Sequence, residues 1–299
     1  MQDFSPGEIS EFIAAARDLK ARQKAGEPHP LLAGKTLGMI FTKSSTRTRV
    51  AFETGIYHLG GMGLFLSAQD IQLGRGESIA DTARVLSRMV DGIMIRTFSH
   101  AEVEELARYA TIPVINGLTD YLHPTQALAD LMTVEEHKGR LAGLKMTYIG
   151  DGNNVAHSLL LGCSKMGMHI TLACPAGYDP QPEVVQKARA NAAESGSRVE
   201  ITRDPLAAAR EADALYTDVW AGMGQEGEAA KRQADFKGYC LDAEILKAAR
   251  SEAIVLHCLP AHKGEEITEE VFEGPQSVVF DEAENRLHAH KAIMALLMA

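Results

Sequence analysis

Ser44-Ser45-Thr46-Arg47-Thr48-Arg49 is the stretch on which the rest of the chain turns. It is entered from the apolar run Thr36-Leu37-Gly38-Met39-Ile40-Phe41 and continues into Val50-Ala51-Phe52-Glu53-Thr54-Gly55-Ile56-Tyr57. The first run reads as a buried strand and the second as a helix, so the hydroxyl-rich segment lies at a strand-to-helix turn. Ser45 suits the N-cap, and the first turn of a helix offers unpaired N–H groups at the positive end of its dipole. Hydroxyls and a guanidinium fork added to such a turn make a phosphate cradle. Arg49 has Glu53 four residues on and is expected to pair with it, a structural use. Arg47 has no acid at that spacing and is the better phosphate ligand.

Working outward, the chain alternates apolar runs with amphipathic ones. Ser5-Pro6-Gly7-Glu8 resembles a helix start, and Ile9, Phe12, Ile13, Ala16 and Leu19 give that helix its stripe. A short strand at Leu64-Phe65-Leu66 is followed by a long polar loop from Gln69 to Ser78. Ile79, Ala83, Leu86 and Val90 mark a helix, and Gly92-Ile93-Met94-Ile95 a strand that delivers Arg96 at its carboxyl end. Ligand residues sit at that end of open parallel sheets. A helix around Val103 to Tyr109 and a strand from Ile112 to Ile115 precede His123-Pro124-Thr125-Gln126. Proline keeps His123 out of the helical region, so it projects just ahead of a helix from Ala127 to Glu136.

The second half repeats the alternation. Strands are expected at Leu144 to Ile149, His169 to Ala173, Ala214 to Tyr216, Ala253 to Leu256 and Ser277 to Phe280, with a last helix from Leu287 to Met298. Gly150-Asp151-Gly152-Asn153-Asn154 turns into a helix near Val155 without completing G-x-G-x-x-G, which argues against a nicotinamide cofactor. Of the two adjacent amides, one is expected to cap the helix and the other to serve a ligand. The fold class is α/β: two doubly wound parallel-sheet domains, residues 1–135 and 136–285, with the active-site cleft between their carboxyl edges. Residues 286–299 are expected to pack back on the first domain.

Composition narrows the chemistry. With 299 residues the chain has room for two cores, and 45% hydrophobic with 23% charged residues is ordinary globular composition. A net charge of −10 argues against nucleic acid and anionic membrane as partners. Cys163, Cys174, Cys240 and Cys258 form neither a C-x-x-C pair nor a zinc pattern, which implies a reducing compartment and no structural metal. The chain starts without a basic-then-apolar leader and has no run long enough to span a bilayer, so the expected location is cytoplasmic. No Walker motif and no acidic cluster for Mg²⁺ is present, so no cofactor is expected. What remains is a small phosphorylated substrate handled by arginines, and acyl transfer from it needs positioning, a polarised carbonyl and a stabilised leaving phosphate.

Ser45-Thr46-Arg47-Thr48-Arg49 in this setting resembles the phosphate loop of the aspartate/ornithine carbamoyltransferase family. His123-Pro124-Thr125-Gln126, Asp218-Val219-Trp220 with Met223-Gly224, and His257-Cys258-Leu259-Pro260 are similar to its ornithine branch. The four motifs stand in the family's order from near Ser5 to the C-terminus. The resemblance implies transfer of the carbamoyl group of carbamoyl phosphate to the side-chain amine of L-ornithine. It assigns Ser45, Thr46, Arg47 and Thr48 to the phosphate, with Gln72 arriving from a neighbouring subunit. Arg96, His123 and Thr48 would hold the carbonyl oxygen, Gln126 and the Leu259 backbone the carbamoyl nitrogen. Asn154, Asp218 and the loop of Gly222 and Met223 would grip the amino-acid end of ornithine, Cys258 the side-chain amine, and Arg286 the leaving phosphate. The resemblance also implies a homotrimer or an assembly of trimers.

Two other readings compete. A sister enzyme could use another amine: the aspartate branch is expected to carry lysine before Gly-Glu, where this chain has Arg75-Gly76-Glu77, and a putrescine-type acceptor would differ at the Asp218 loop. A non-catalytic anion-binding protein of the same fold would be expected to lose Arg47, Arg96 or His123. One departure stands out, since the ornithine branch usually reads Ser-Met-Gly where this chain has Gly222-Met223-Gly224.

Overall fold

Strand and helix alternate along the chain in a computed structural model that describes residues 1–73, 76–222 and 226–299. Two units are formed, residues 7–129 with 284–299, and residues 130–283 with 1–6.

The first unit holds α1 (Pro6–Lys24), β1 (Thr36–Phe41), α2 (Thr46–His58), β2 (Met62–Ser67), α3 (Ile79–Leu86), β3 (Gly92–Arg96), α4 (His100–Tyr109) and β4 (Val114–Leu118), and the start of α5 (Pro124–Lys138). Its four strands are all parallel in the order β2-β1-β3-β4. The chain therefore moves one way from β1 to β2 and the other way from β3 to β4. The crevice at that reversal, between the carboxyl ends of β1 and β3, is where such sheets bind ligands. β1 is buried from Leu37 onward and β3 throughout, whereas the edge strand β2 leaves Met62 and Phe65 exposed. Ile40, Ala83, Val90, Ile93, Ile95, Val103 and Leu106 form one core. β4 starts at Val114, later than the apolar run suggests, because Pro113 has no N–H for the ladder and contributes only its carbonyl, to Ile93.

The second unit holds the end of α5 and β5 (Lys145–Ile149), α6 (Asn154–Lys165), β6 (His169–Ala173), α7 (Pro182–Ser195), β7 (Val199–Thr202), α8 (Pro205–Ala209) and β8 (Ala214–Thr217). It continues with α9 (Ala229–Asp235), α10 (Ala243–Ala248), β9 (Ile254–His257), α11 (Glu269–Phe272) and the start of α12 (Val279–Met298). Five parallel strands run in the order β7-β6-β5-β8-β9, with the reversal between β5 and β8. Trp220, Phe236, Tyr239, Val255 and Ile267 anchor its core. Burying one such side chain contributes about 1.5–3 kcal/mol.

One expected strand is corrected. Ser277 to Phe280 is not a strand: Ser277 makes an isolated parallel bridge to Val255, and α12 begins at Val279. Asp281 and Glu282 in the first turn complement the helix dipole and favour the helical start over a continued ladder.

Candidate active site

In the first unit, Ser45, Arg96 and Arg286 surround one hydroxyl, that of Thr48. Ser45 is the N-cap of α2 in extended conformation, and its Oγ accepts from the Thr48 amide at 3.2 Å while donating to Thr48 Oγ1 at 3.1 Å. Thr48 is fully buried, and its Oγ1 also accepts from Arg286 Nη2 at 2.8 Å and Arg96 Nη1 at 3.4 Å. Arg96 stands at the end of β3 and Arg286 on α12, and both are buried. Thr46 opens α2 and is exposed, and Arg47 follows half-buried. Arg49 does what its spacing predicts: Nε meets Glu53 Oε1 at 3.0 Å, with its guanidinium 3.7 Å from the Phe65 ring centre.

His123 precedes Pro124 at the start of α5 and is buried. Burial first, then the charges of Arg286, Arg96, His290 and Arg47, hold its pKa well below the ordinary 6.5. It is a neutral imidazole in a positive field. Its Nδ1 lies 3.4 Å from Thr125 Oγ1. Gln126, in the first turn of α5, is almost fully buried, while Gln72, in the loop after β2, is exposed. Arg75 lies outside the described residues.

In the second unit, three donors close on Asp218 at the end of β8. Its Oδ2 accepts from Asn153 Nδ2 at 2.8 Å, and its Oδ1 from the Val219 amide at 2.8 Å and from Cys258 Sγ at 3.0 Å. Asn153 is the cap of α6, accepting from the Val155 and Ala156 amides, and Asn154 is the first helical residue. The turn ahead of them admits only glycine at 152, where a Cβ would lie 2.2 Å from the Pro180 nitrogen. Burial, then the charge of Asp218 and the bond to it, push the Cys258 thiol well above its ordinary value. Cys258 is thus a neutral thiol rather than a thiolate.

Leu259 adopts φ +58°, a conformation that costs a non-glycine residue about 1–2 kcal/mol. Its amide donates to His257 Nδ1 at 2.9 Å, and His257 Nε2 meets the buried Glu266 carboxylate at 3.1 Å. The Leu259–Pro260 peptide is cis. Asp218, His257 and Cys258 present ligand atoms within 4.8 Å of one another, but their hydrogen bonds already occupy the atoms a metal would take. Gly222 is half-buried, and Met223 and Gly224 lie outside the described residues.

Sequence reasoning missed Arg232. It is buried on α9, with Nη1 at 2.7 Å from both Asp151 Oδ2 and the Trp220 carbonyl, and Nε at 3.1 Å from Glu228. One side chain thereby ties the turn that carries Asn153 and Asn154 to the segment that follows Asp218. Burial raises the Asp151 carboxyl against the opposing pull of Arg232. The available signal was an arginine inside an otherwise ordinary polar helix, which identifies no partner.

Comparison with known proteins matches two family domains along the chain. Residues 1–136 match the carbamoyl-P binding domain of aspartate/ornithine carbamoyltransferase, and residues 142–297 its Asp/Orn binding domain. An ornithine carbamoyltransferase of Symbiobacterium thermophilum is 60% identical over 299 residues, covering 100% of this chain and 96% of the relative. One of Thermococcus kodakarensis is 57% identical over 298 residues, covering 100% and 95%. The solved ornithine carbamoyltransferase of Pyrococcus furiosus, at 55% identity, superposes with a TM-score of 0.97 over 99% of this chain and 95% of that one. Likeness of this degree along the full length means that the chain belongs to the aspartate/ornithine carbamoyltransferase family.

Proposed function

We propose that the chain transfers the carbamoyl group of carbamoyl phosphate to the side-chain amine of L-ornithine, giving L-citrulline and phosphate. The observation that carries this reading is the convergence of Arg96 and Arg286 on the Thr48 hydroxyl, beside a buried histidine kept neutral. Positive charge at a helix N-terminus suits a phosphate dianion. His123 is a neutral imidazole, and the tautomer with its proton on Nε2, for which the Thr125 hydroxyl donates to Nδ1, suits donation to a carbonyl oxygen. Arg96, His123 and Thr48 then stabilise the oxyanion as the amine attacks, a kind of contact worth about 100- to 1,000-fold in rate.

The amine nitrogen bonds to the carbonyl carbon, and the carbon–oxygen bond to phosphate breaks, with the electron pair leaving on phosphate near Arg47 and Arg286. The proton that the nitrogen gives up ends on that phosphate. Ser45 and Thr46 complete the phosphate cradle, and Gln126 with the Leu259 backbone holds the carbamoyl nitrogen. Asn154, Asp218, Gly222 and Met223 take the amino-acid end of ornithine. Direct transfer fits Cys258 better than a covalent intermediate, because the nucleophilic form of cysteine is the thiolate, and this thiol retains its proton. Cys258 is left to orient the amine beside Asp218.

We further read Val50, Tyr57, Met62 and Phe65, all exposed on α2 and the edge strand β2, as the surface on which further copies pack into a homotrimer. Gln72 would then serve a neighbouring subunit. A reducing, cytoplasmic setting fits the four free cysteines, and no described helix is long and apolar enough to cross a membrane.

The deciding experiment supplies carbamoyl phosphate with ornithine, aspartate, putrescine or lysine and measures phosphate and ureido product. Ornithine alone should support turnover, and a preference for putrescine would overturn the assignment. Its kcat/KM should climb from neutral into alkaline pH, since only the unprotonated amine attacks and a free alkyl amine titrates near about 10.4. A profile flat across that range would contradict attack by an amine that must first lose its proton.

A further inference from the structure

Glu282, in the first turn of α12, is fully buried and joins the ends of two neighbouring strands. Its Oε1 accepts from the Tyr216 hydroxyl of β8 at 3.1 Å, and its Oε2 from the His257 amide of β9 at 2.8 Å. β8 leads two residues on from Tyr216 to Asp218, and β9 leads from His257 directly to Cys258 and Leu259. We propose that Glu282 is a positioning residue for the ornithine side of the reaction, holding the carboxyl ends of β8 and β9 so that Cys258 stays within reach of Asp218. The inference deepens the functional reading above and rests on it.

A second carboxyl makes this arrangement conditional. Asp130 of α5, also fully buried, hydrogen-bonds the Glu282 side chain. Two carboxyl groups in hydrogen-bond contact need a proton between them, because two buried carboxylates repel. Burial, followed by Asp130, accordingly raises the Glu282 carboxyl well above its ordinary value. The other titratable groups that interact with the pair are Tyr216 from β8, Cys163 from α6 and Cys258 beyond the end of β9. The Tyr216 hydroxyl and the His257 amide pull the other way, since each donates to Glu282 and so favours its ionised form, but burial and Asp130 outweigh them. A raised folded value means that the pair's stabilisation is complete below about 4.5 and fades as pH rises through the folded value.

The test compares Glu282→Ala, Glu282→Gln and Asp130→Asn in full-length protein, with both substrates varied. Glu282→Ala should lower kcat/KM for ornithine about tenfold or more, and leave KM for carbamoyl phosphate within about twofold. Glu282→Gln, a neutral isostere that can still accept from the His257 amide, should recover to within about threefold. Equal damage to both substrates, or a lowered melting temperature with unchanged kinetics, overturns the proposal. Infrared spectroscopy supplies a readout that survives a poorly folding alanine variant. The unsubstituted protein should show the carbonyl stretch of a protonated carboxyl at neutral pH, and Asp130→Asn, which donates without a proton to share, should lack it. No such band in the unsubstituted protein also overturns the proposal. Should the unsubstituted protein carbamoylate a different amine, the functional reading fails separately, and the same comparison is run with that amine.

Discussion

The two groups of candidate site residues are built on opposite charge. Around Thr48 the chain gathers cations and keeps His123 among them uncharged. Around Asp218 it does the reverse, closing a carboxylate with an amide, a thiol and a backbone N–H. The first arrangement gains most from an arriving anion. The second is already satisfied and must give up a donor when a substrate amine comes. Substitutions should therefore act on different substrates in the two places.

The largest effect is expected from Arg47→Ala, which should lose between about tenfold and about a hundredfold in kcat/KM for carbamoyl phosphate, the worth of a charge-assisted contact. Arg49→Ala, two residues away, should keep near-normal kinetics and lose at most about 1 kcal/mol of stability, as its pair with Glu53 is exposed. The reverse pattern would mean that the two arginines have exchanged roles.

Arg232→Met should act on the other substrate. Freeing Asp151 and the Trp220 carbonyl should raise KM for ornithine about tenfold and cost about 3 kcal/mol of stability, since Asp151 is left buried without its cation. Steady-state kinetics with both substrates varied would expose an equal rise in KM for carbamoyl phosphate, which would dissolve the distinction between the two groups.

Acid should single out the cationic group. His123 and His290 are both held well below 6.5, by burial and then by Arg286. Between the folded value and 6.5 the unfolded chain binds more protons than the folded one, so stability rises with pH and is lost on acidification. Each histidine contributes up to about 1.4 kcal/mol per pH unit in that window. His290 stacks on Phe52 at 4.1 Å, and among the described residues neither of its ring nitrogens has a hydrogen-bond partner. Denaturant midpoints between about pH 7.5 and about pH 5 should fall less steeply for His290→Phe than for the unsubstituted protein.

Smallest is the change at the one departure from the ornithine-branch pattern. Gly222→Ser should lower KM for ornithine about threefold, the worth of one neutral hydrogen bond, and leave that for carbamoyl phosphate unchanged. Titration of each substrate at saturating partner would reveal any effect on the wrong one.

Legibility in the sequence followed the range of the interactions. The Ser45 cap and the Arg49–Glu53 pair span three and four residues, so their spacing declared them. β1 and β3 were legible because both faces are buried and the strands read as continuous apolar runs. Ser277 to Phe280 misled because an apolar run of four is equally compatible with a bridge and a helix start. β7, a half-exposed edge strand paired only with β6, carries no such run. Arg286 was legible as a phosphate-binding guanidinium but its partner was not, since nothing in the local pattern of α12 links it to Thr48, 238 residues earlier. The Arg232 clamp and the Asp130–Glu282 pair had no local signature at all, because each joins elements that only the fold brings together.

The bond from Cys258 to Asp218 also bears on how the protein ages. The thiolate is the form that attacks peroxide and alkylating reagents, and oxidation to sulfenic acid starts from it. Burial first, and then the neighbouring carboxylate, keep the Cys258 sulfur protonated well above the ordinary thiol range. The contact with Asp218 thus adds to what burial does in making this sulfur a slow target for oxidation.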